Sequence, residues 1–427
     1  MGLVRGRNAL WRGAASAFAI AIGFALAIGA GSSASYADSS AHAARDAAPG
    51  TSGAAAHFAV TAAAHRIPNT PGIYEAGWTA RRGPSPFDRI GLHRLIRGPL
   101  PQARPEVVVL YLPGTNMNGT IAVSDPRYSL PIFMAAHGVD FWTLDYRTHF
   151  IPPATPAAQL GELRGWNNAL FESDIAAAAR FVIAASGTRK IFIAGFSRGV
   201  SFAYLFAATH PDEVRGLVMF DGWIPENQPS AAPPPGVYAD DLGGAHLTFD
   251  KRQALLEAVI RNPDGPAPIA QFKTARENLA HVVYASAAFG GHGGLANPQG
   301  GFSDATILAR IMIAYDRYWP AVQDGENSFT PAIRAQLAQS RIPVIAFSST
   351  NISAQWPARV AHSASATGGT DVTVLTRNGW GHLDLICGTQ AQARVFDPAL
   401  TWLMRHREHV DPMHRGGPPP TVGAAGL

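Results

Sequence analysis

The chain is poor in cysteine and in charge. Cys387 is the only cysteine among 427 residues, so no disulfide can form within the chain and its stability must come from an apolar core. No cysteine stands near the N-terminus either, which excludes a lipid-acylated anchor there. Only 15% of residues are charged, and the formal net charge of +4 is spread out, apart from Arg5, Arg7 and Arg12. The glycine clusters at 290–294 and 300–301 lack a following Lys-Ser or Lys-Thr, which argues against a phosphate cradle. His246, His281 and His292 lack the spacing of a zinc site. No metal and no cofactor is therefore expected. Internal repeats are absent.

What the chain does have is apolar length: 47% of its residues are hydrophobic, enough to bury a large core. Its one long apolar run, Ala14 to Ala30, follows the three arginines and leads into small residues ending Ala34-Ser35-Tyr36-Ala37. Ser at −3 and Ala at −1 predict a signal peptide over residues 1–37, cleaved after Ala37, and an exported protein, periplasmic or secreted. An uncleaved N-terminal anchor is the alternative reading of the same segment. Removal of residues 1–37 takes away three arginines and no acids, so the formal charge falls from +4 to +1. That leaves little attraction for nucleic acid or anionic lipid. No other membrane span is expected, and the sequence carries no sign of oligomeric state.

Residues 38–56 are rich in Ala, Ser and Gly and read as a flexible leader, and 409–427 as a disordered tail. Between them short β-type runs alternate with helical ones, which predicts a mostly parallel sheet covered on both faces. Strands are expected at Ile90–Arg97, Val107–Leu112, Val139–Asp145, Lys190–Phe196, Gly216–Phe220, Ile342–Phe347 and Val372–Leu375. Helices are expected at Leu130–His137, at Phe171–Ala185 and after residue 197. About 120 residues separate Phe220 from Ile342, too many for a plain crossover. Helical patterns at Lys251–Arg261, Ile269–Ala288 and Asp304–Tyr318 suggest a cap over 223–341, inserted in a core of 57–222 and 342–408 and roofing the active site.

The most informative segment is Lys190 to Gly199, KIFIAGFSRG, an apolar run ending in Gly195-Phe196-Ser197-Arg198-Gly199 and followed at once by a helix-forming stretch. A serine hydroxyl becomes a useful nucleophile when a tight turn holds it clear of its neighbours, within reach of a base. Glycines on either side permit such a turn. A bare G-x-S-x-G is a weak signal in a chain with 43 glycines; strand before and helix after give it weight.

The order of these parts resembles the α/β-hydrolase superfamily over about Ile90 to Arg405, a serine esterase or lipase-like member with an inserted cap. Leu112-Pro113-Gly114-Thr115 is similar to the family's turn that builds the oxyanion hole, and Gly381-His382 to its late histidine loop. The resemblance implies a nucleophile at Ser197, a general base at His382, and oxyanion N–H groups on Thr115 and Arg198. The usual acid position departs from the pattern, because Ser348-Ser349-Thr350-Asn351-Ile352-Ser353 holds no carboxylate. Asp221, one strand earlier, is the preferred acid, with Asp384 and the neutral Asn351 as alternatives and a structural role in bracing the cap also open. Asn116 is a candidate for substrate binding or for turn stabilisation. The Arg198 side chain could attract an anionic substrate, or turn toward Asp174 or Asp221.

These residues imply hydrolysis of a carboxylic ester in a small-molecule acyl substrate, through an acyl-enzyme intermediate. An amidase, peptidase or acyltransferase would use the same triad, and a non-catalytic binding protein would keep the fold without a working acid.

Overall fold

The computed structural model describes residues 56–99, 105–225, 238–239, 248–285, 303–324 and 326–407. The predicted signal peptide, the leader except Ala56, and the tail lie outside these residues.

Nine strands form one sheet in the order β1-β2-β3-β5-β4-β6-β7-β10-β11. They are β1 (Phe58–Arg66), β2 (Ile73–Arg81), β3 (Arg89–Arg97), β4 (Val108–Leu112), β5 (Asp140–Asp145), β6 (Ile191–Phe196), β7 (Val214–Phe220), β10 (Val344–Ser349) and β11 (Val372–Arg377). Strands β5, β4, β6, β7, β10 and β11 run parallel, while β1, β2 and β3 add an antiparallel edge. A two-residue pair, β8 (Tyr238–Ala239) and β9 (Trp319–Pro320), stands apart.

Every residue of β4, β5, β6 and β10 is buried, as continuous apolar runs require when helices cover both faces. On one face Leu110, Leu144, Ile193, Met219 and Ala346 share a cluster with helices α2 (Asn168–Ser186), α3 (Arg198–Thr209), α7 (Pro331–Ser340) and α8 (Trp356–Ser365). On the other, Tyr111, Phe196, Phe220 and Phe347 pack with α1 (Leu130–Ala136), α9 (Asp384–Cys387) and α10 (Asp397–Arg405). That second cluster also takes in α4 (Phe249–Arg261), α5 (Ala275–Ala280) and α6 (Ala305–Met312), which pack on one another within the long insertion. Helix α7, although inside the predicted cap range, packs on α3 beneath the sheet.

Local chemistry sets the ends of these elements. Helix α2 begins where the Asn167 side chain accepts the Leu170 N–H and stops at Gly187, whose φ of 64° suits glycine. In the region read as one helix from Ile269, the Thr274 side chain accepts the Glu277 N–H, so α5 starts only at Ala275. The stretch read as helical to Tyr318 ends sooner, at Met312, because Asn118 takes the Ala314 carbonyl and holds the chain in a turn.

Candidate active site

Ser197 sits at the junction of β6 and α3 with φ 55° and ψ −119°, a conformation that L-residues adopt only when their surroundings impose it. The surroundings are tight. A β-carbon on Gly199 would lie 2.0 Å from the Leu112 carbonyl oxygen, and one on Gly195 would lie 2.5 Å from the Gly199 oxygen. Only glycine lets strand and helix close on the serine. The Ser197 N–H donates to the Phe220 carbonyl at 3.0 Å, which ties the turn to the end of β7.

Asp221 follows Phe220 and is fully buried, with a left-handed φ of 52° that turns its carboxylate across the end of the sheet. Its Oδ2 lies 2.7 Å from His382 Nδ1 and accepts the Ser349 hydroxyl at 2.7 Å. Its Oδ1 accepts the Ser349 N–H at 2.6 Å and the Trp356 indole N–H at 2.9 Å. Four donors therefore surround one carboxylate in a site without water contact, the arrangement that holds a buried charge in place.

Neither Ser349 nor Trp356 is singled out by the sequence. Yet Ser349 lies at the end of β10, next to the loop 350–353, which holds no carboxylate. Its hydroxyl and N–H brace an acid supplied by the neighbouring strand.

His382 is 5% exposed, and its ring stacks on Phe196 with centroids 4.5 Å apart, which brings the histidine loop against the residue that precedes Ser197. The loop is held from several sides. Asn351 donates through Nδ2 to the Gly379 carbonyl at 2.7 Å, and its N–H donates to Trp380 O at 3.1 Å. Asp384 accepts the Gly381 N–H at 2.7 Å and the Ser303 hydroxyl at 2.7 Å. Asn351 and Asp384 thus shape the loop, while the carboxylate on the imidazole belongs to Asp221. Behind it Cys387 is fully buried, and burial pushes its thiol up to about 12, so it stays an unreactive SH at neutral pH.

The turn after β4 lies beside the serine: a β-carbon on Gly114 would stand 3.1 Å from Ser197 Cβ. Thr115 follows on the same turn, and Arg198 is the first residue of α3, directly after Ser197. The Arg198 guanidinium goes elsewhere than expected, reaching the Gln323 carbonyl at 3.4 Å. Asp174, the carboxylate proposed for it, is already taken by Arg82 and Arg147, and Asp221 by the donors above. Asn116 is 4% exposed, and its Nδ2 donates to the Asp316 and Arg317 carbonyls at 3.1 and 3.4 Å. Its amide donors thus anchor the turn to the segment after α6, which favours the turn-stabilising alternative over substrate contact.

A cavity of about 80 Å³ opens behind the turn. Its walls include Met117, Ile121, Leu130, Ile311 and Ile386 with the polar Asn118, Ser129 and Thr143, and among the described residues no charged side chain lines it. Met117 Sδ would lie 3.2 Å from the same Gly114 β-carbon, so a residue of the cavity wall also borders this turn.

A chain of ionisable groups runs beneath the turn. His93 bonds Glu75 at 2.7 Å and Asp145 at 2.9 Å; burial lowers its pKa, but these carboxylates outweigh burial and raise it to about 10. His149 lies 3.0 Å from Asp316 and is also raised, because Asp316 and Asp145 overcome its burial. Among the described residues no group of three or more His, Cys, Asp or Glu is arranged to hold a metal ion. No helix there is long and apolar enough to cross a membrane.

No protein-family model matches this chain, and no curated protein matches it by sequence. Solved structures do. A protein provisionally described as a lipase, from Sulfolobus solfataricus, aligns over 82% of this chain and 99% of its own at 23% identity, with a TM-score of 0.68. Weaker likenesses include Cfl2 from Burkholderia cenocepacia, at 20% identity over 78% of this chain and 98% of its own, TM-score 0.42. An α/β-hydrolase fold protein from Nakamurella multipartita follows at 15% identity over 75% and 96%, TM-score 0.45. The chain has the α/β-hydrolase fold: a mostly parallel sheet of nine strands flanked by helices.

Proposed function

We propose that this chain, an α/β-hydrolase by fold, is an exported serine hydrolase that cleaves a carboxylic ester. The observation that carries the proposal is the Asp221 carboxylate on His382 Nδ1 at 2.7 Å, in a loop packed against the residue before Ser197. In this reading Asp221 keeps the Nδ1 proton in place, which leaves Nε2 as the base. Ser197 Oγ attacks the ester carbonyl as His382 takes its proton, and a C–O bond forms. The oxygen that becomes negative is held by the N–H groups of Thr115 and Arg198, donors of a kind worth about 3–4 kcal/mol each in the barrier. His382 then gives its proton to the departing alcohol, and water repeats the sequence to release the acid.

The cavity behind the turn, which Ser197 and His382 do not line, would suit an uncharged acyl group. A charged chain entering the cavity behind the turn would lose its hydration without gaining a counter-ion. The Sulfolobus relative described as a lipase agrees with an ester substrate. Amide hydrolysis and acyl transfer to an alcohol remain on the same triad. The missing acid after β10 would suit a non-catalytic binding protein, and the bonding of Asp221 to His382 weighs against that reading.

The test is a paired panel of p-nitrophenyl esters and p-nitroanilides with wild type and Ser197→Ala. Ester cleavage lost in Ser197→Ala, with the amide turned over far more slowly by wild type, is the expected result. Equal rates on ester and amide would move the assignment to an amidase. Undiminished ester cleavage by Ser197→Ala would remove the assignment altogether.

A further inference from the structure

The turn carrying Thr115 does not hold its shape alone. Asn116 stands in a left-handed conformation, φ 61°, that costs energy for a residue other than glycine. Three hydrogen bonds fix it to one short segment after α6. Its Nδ2 donates to the Asp316 and Arg317 carbonyls at 3.1 and 3.4 Å, and its own carbonyl accepts the Asp316 N–H at 2.7 Å. Asn118 adds two more, from Nδ2 to Ala314 O at 2.7 Å and to Asp316 Oδ1 at 2.9 Å.

Asp316 is thus the hub of the clasp, and its side chain is held in turn from below. The Thr148 hydroxyl donates to Oδ2 at 3.1 Å, and His149 Nδ1 meets Oδ1 at 3.0 Å. Both come from the single helical turn Arg147–Phe150 that follows β5. The far end of the oxyanion turn is tied to that strand as well, since Gly119 N–H donates to Asp145 Oδ1 at 2.7 Å and its carbonyl accepts the Thr143 hydroxyl at 2.9 Å. The near end is tied by Tyr146, whose hydroxyl donates to the Pro113 carbonyl at 3.0 Å. Between these two fixed ends, Asn116 and Asn118 hold the middle of the turn by side-chain bonds to Asp316 and its near neighbours among the described residues.

The geometry points to Asp316 as a positioning residue: through Asn116 and Asn118 it clasps the oxyanion turn from the inserted segment and sets the place of the Thr115 N–H beside Ser197. The insertion between β7 and β10 then shapes part of the transition-state machinery. This inference rests on the serine hydrolase reading above. A donor that meets the oxyanion only as charge develops affects kcat, with little effect on ground-state binding.

Two measurements test it, on wild type, Asp316→Ala, Asp316→Asn and Asn118→Ala. The first is kcat and KM on a p-nitrophenyl ester, with kcat counted per fluorophosphonate-titrated site so that misfolded protein does not enter. Asp316→Ala and Asn118→Ala should lower kcat at least 10-fold with KM within about 3-fold. Asp316→Asn, which keeps an acceptor for Asn118, should recover at least a third of the wild-type kcat. The second is amide hydrogen exchange over 113–119, which should speed up at least 10-fold in Asp316→Ala while β6 is unchanged. An active wild type with kcat per site within 2-fold in both alanine variants, a change confined to KM, or unaltered exchange over 113–119 would overturn the positioning role alone. A wild type that neither titrates nor hydrolyses ester would overturn the hydrolase reading, and the positioning role with it.

Discussion

Asp221→Asn is the most informative single change in this site, because the partners of the carboxylate dictate which way the amide must face. Oδ1 receives two fixed donors, the Ser349 N–H at 2.6 Å and the Trp356 indole N–H at 2.9 Å. Neither can turn into an acceptor, so the amide oxygen must stay there. The NH2 then takes the place of Oδ2, 2.7 Å from His382 Nδ1 and from the Ser349 hydroxyl. The hydroxyl can rotate to accept. The imidazole can accept only by moving its proton to Nε2, the nitrogen that must take the proton of Ser197. The variant therefore keeps its fold but holds the wrong tautomer, and it also loses the negative charge that stabilises the imidazolium. A loss of about 10³–10⁴-fold in kcat is expected, ~4–5.5 kcal/mol in the barrier. Steady-state turnover of a p-nitrophenyl ester at pH 7–8, with a thermal melt to show an intact fold, measures it. A well-folded Asp221→Asn enzyme with kcat within 10-fold of wild type would refute the reasoning.

Two other perturbations probe the frame of the site. Gly199→Ala places a β-carbon 2.0 Å from a backbone carbonyl that no side-chain rotation can move aside, so a loss of at least ~2 kcal/mol and of ester turnover is expected; an unchanged melting temperature would contradict the packing. His93 has a folded pKa raised from 6.5 to about 10, so its pairing with Asp145 and Glu75 stabilises the protein in full below pH 6.5 and is lost as pH rises through about 10. Urea unfolding of wild type and His93→Asn should differ by up to ~4 kcal/mol more at pH 6 than at pH 10.5. A difference independent of pH would contradict the charged pair.

The inner parallel strands were legible because they are buried on both faces and read as unbroken apolar runs, as in VVVLYL and GLVMF. Strands β1 and β2 were not, since β1 is an alanine-rich edge strand exposed along most of its length and shows no alternation to read. The candidate nucleophile Ser197 and candidate base His382 are legible as local motifs. The candidate acid Asp221 is reachable only through the resemblance, chain order and the absence of a carboxylate after β10, and its partners Ser349 and Trp356 are known only once 128 and 135 residues of separation are closed. Asn118 and Asp316 are 198 residues apart and carry no motif at all, so the clasp on the turn after β4 exists only in three dimensions. Asn116 illustrates the limit: a polar residue next to the oxyanion turn has the same sequence signature whether it faces substrate or its own fold.

Covalent capture of the nucleophile tests the central claim most directly. Wild-type protein treated with a fluorophosphonate should gain one adduct per chain by intact mass, mapping to the peptide that contains Ser197. Ser197→Ala should gain none, and His382→Ala should label far more slowly. A folded wild type that gains no adduct, or carries it on a different serine, would contradict the account.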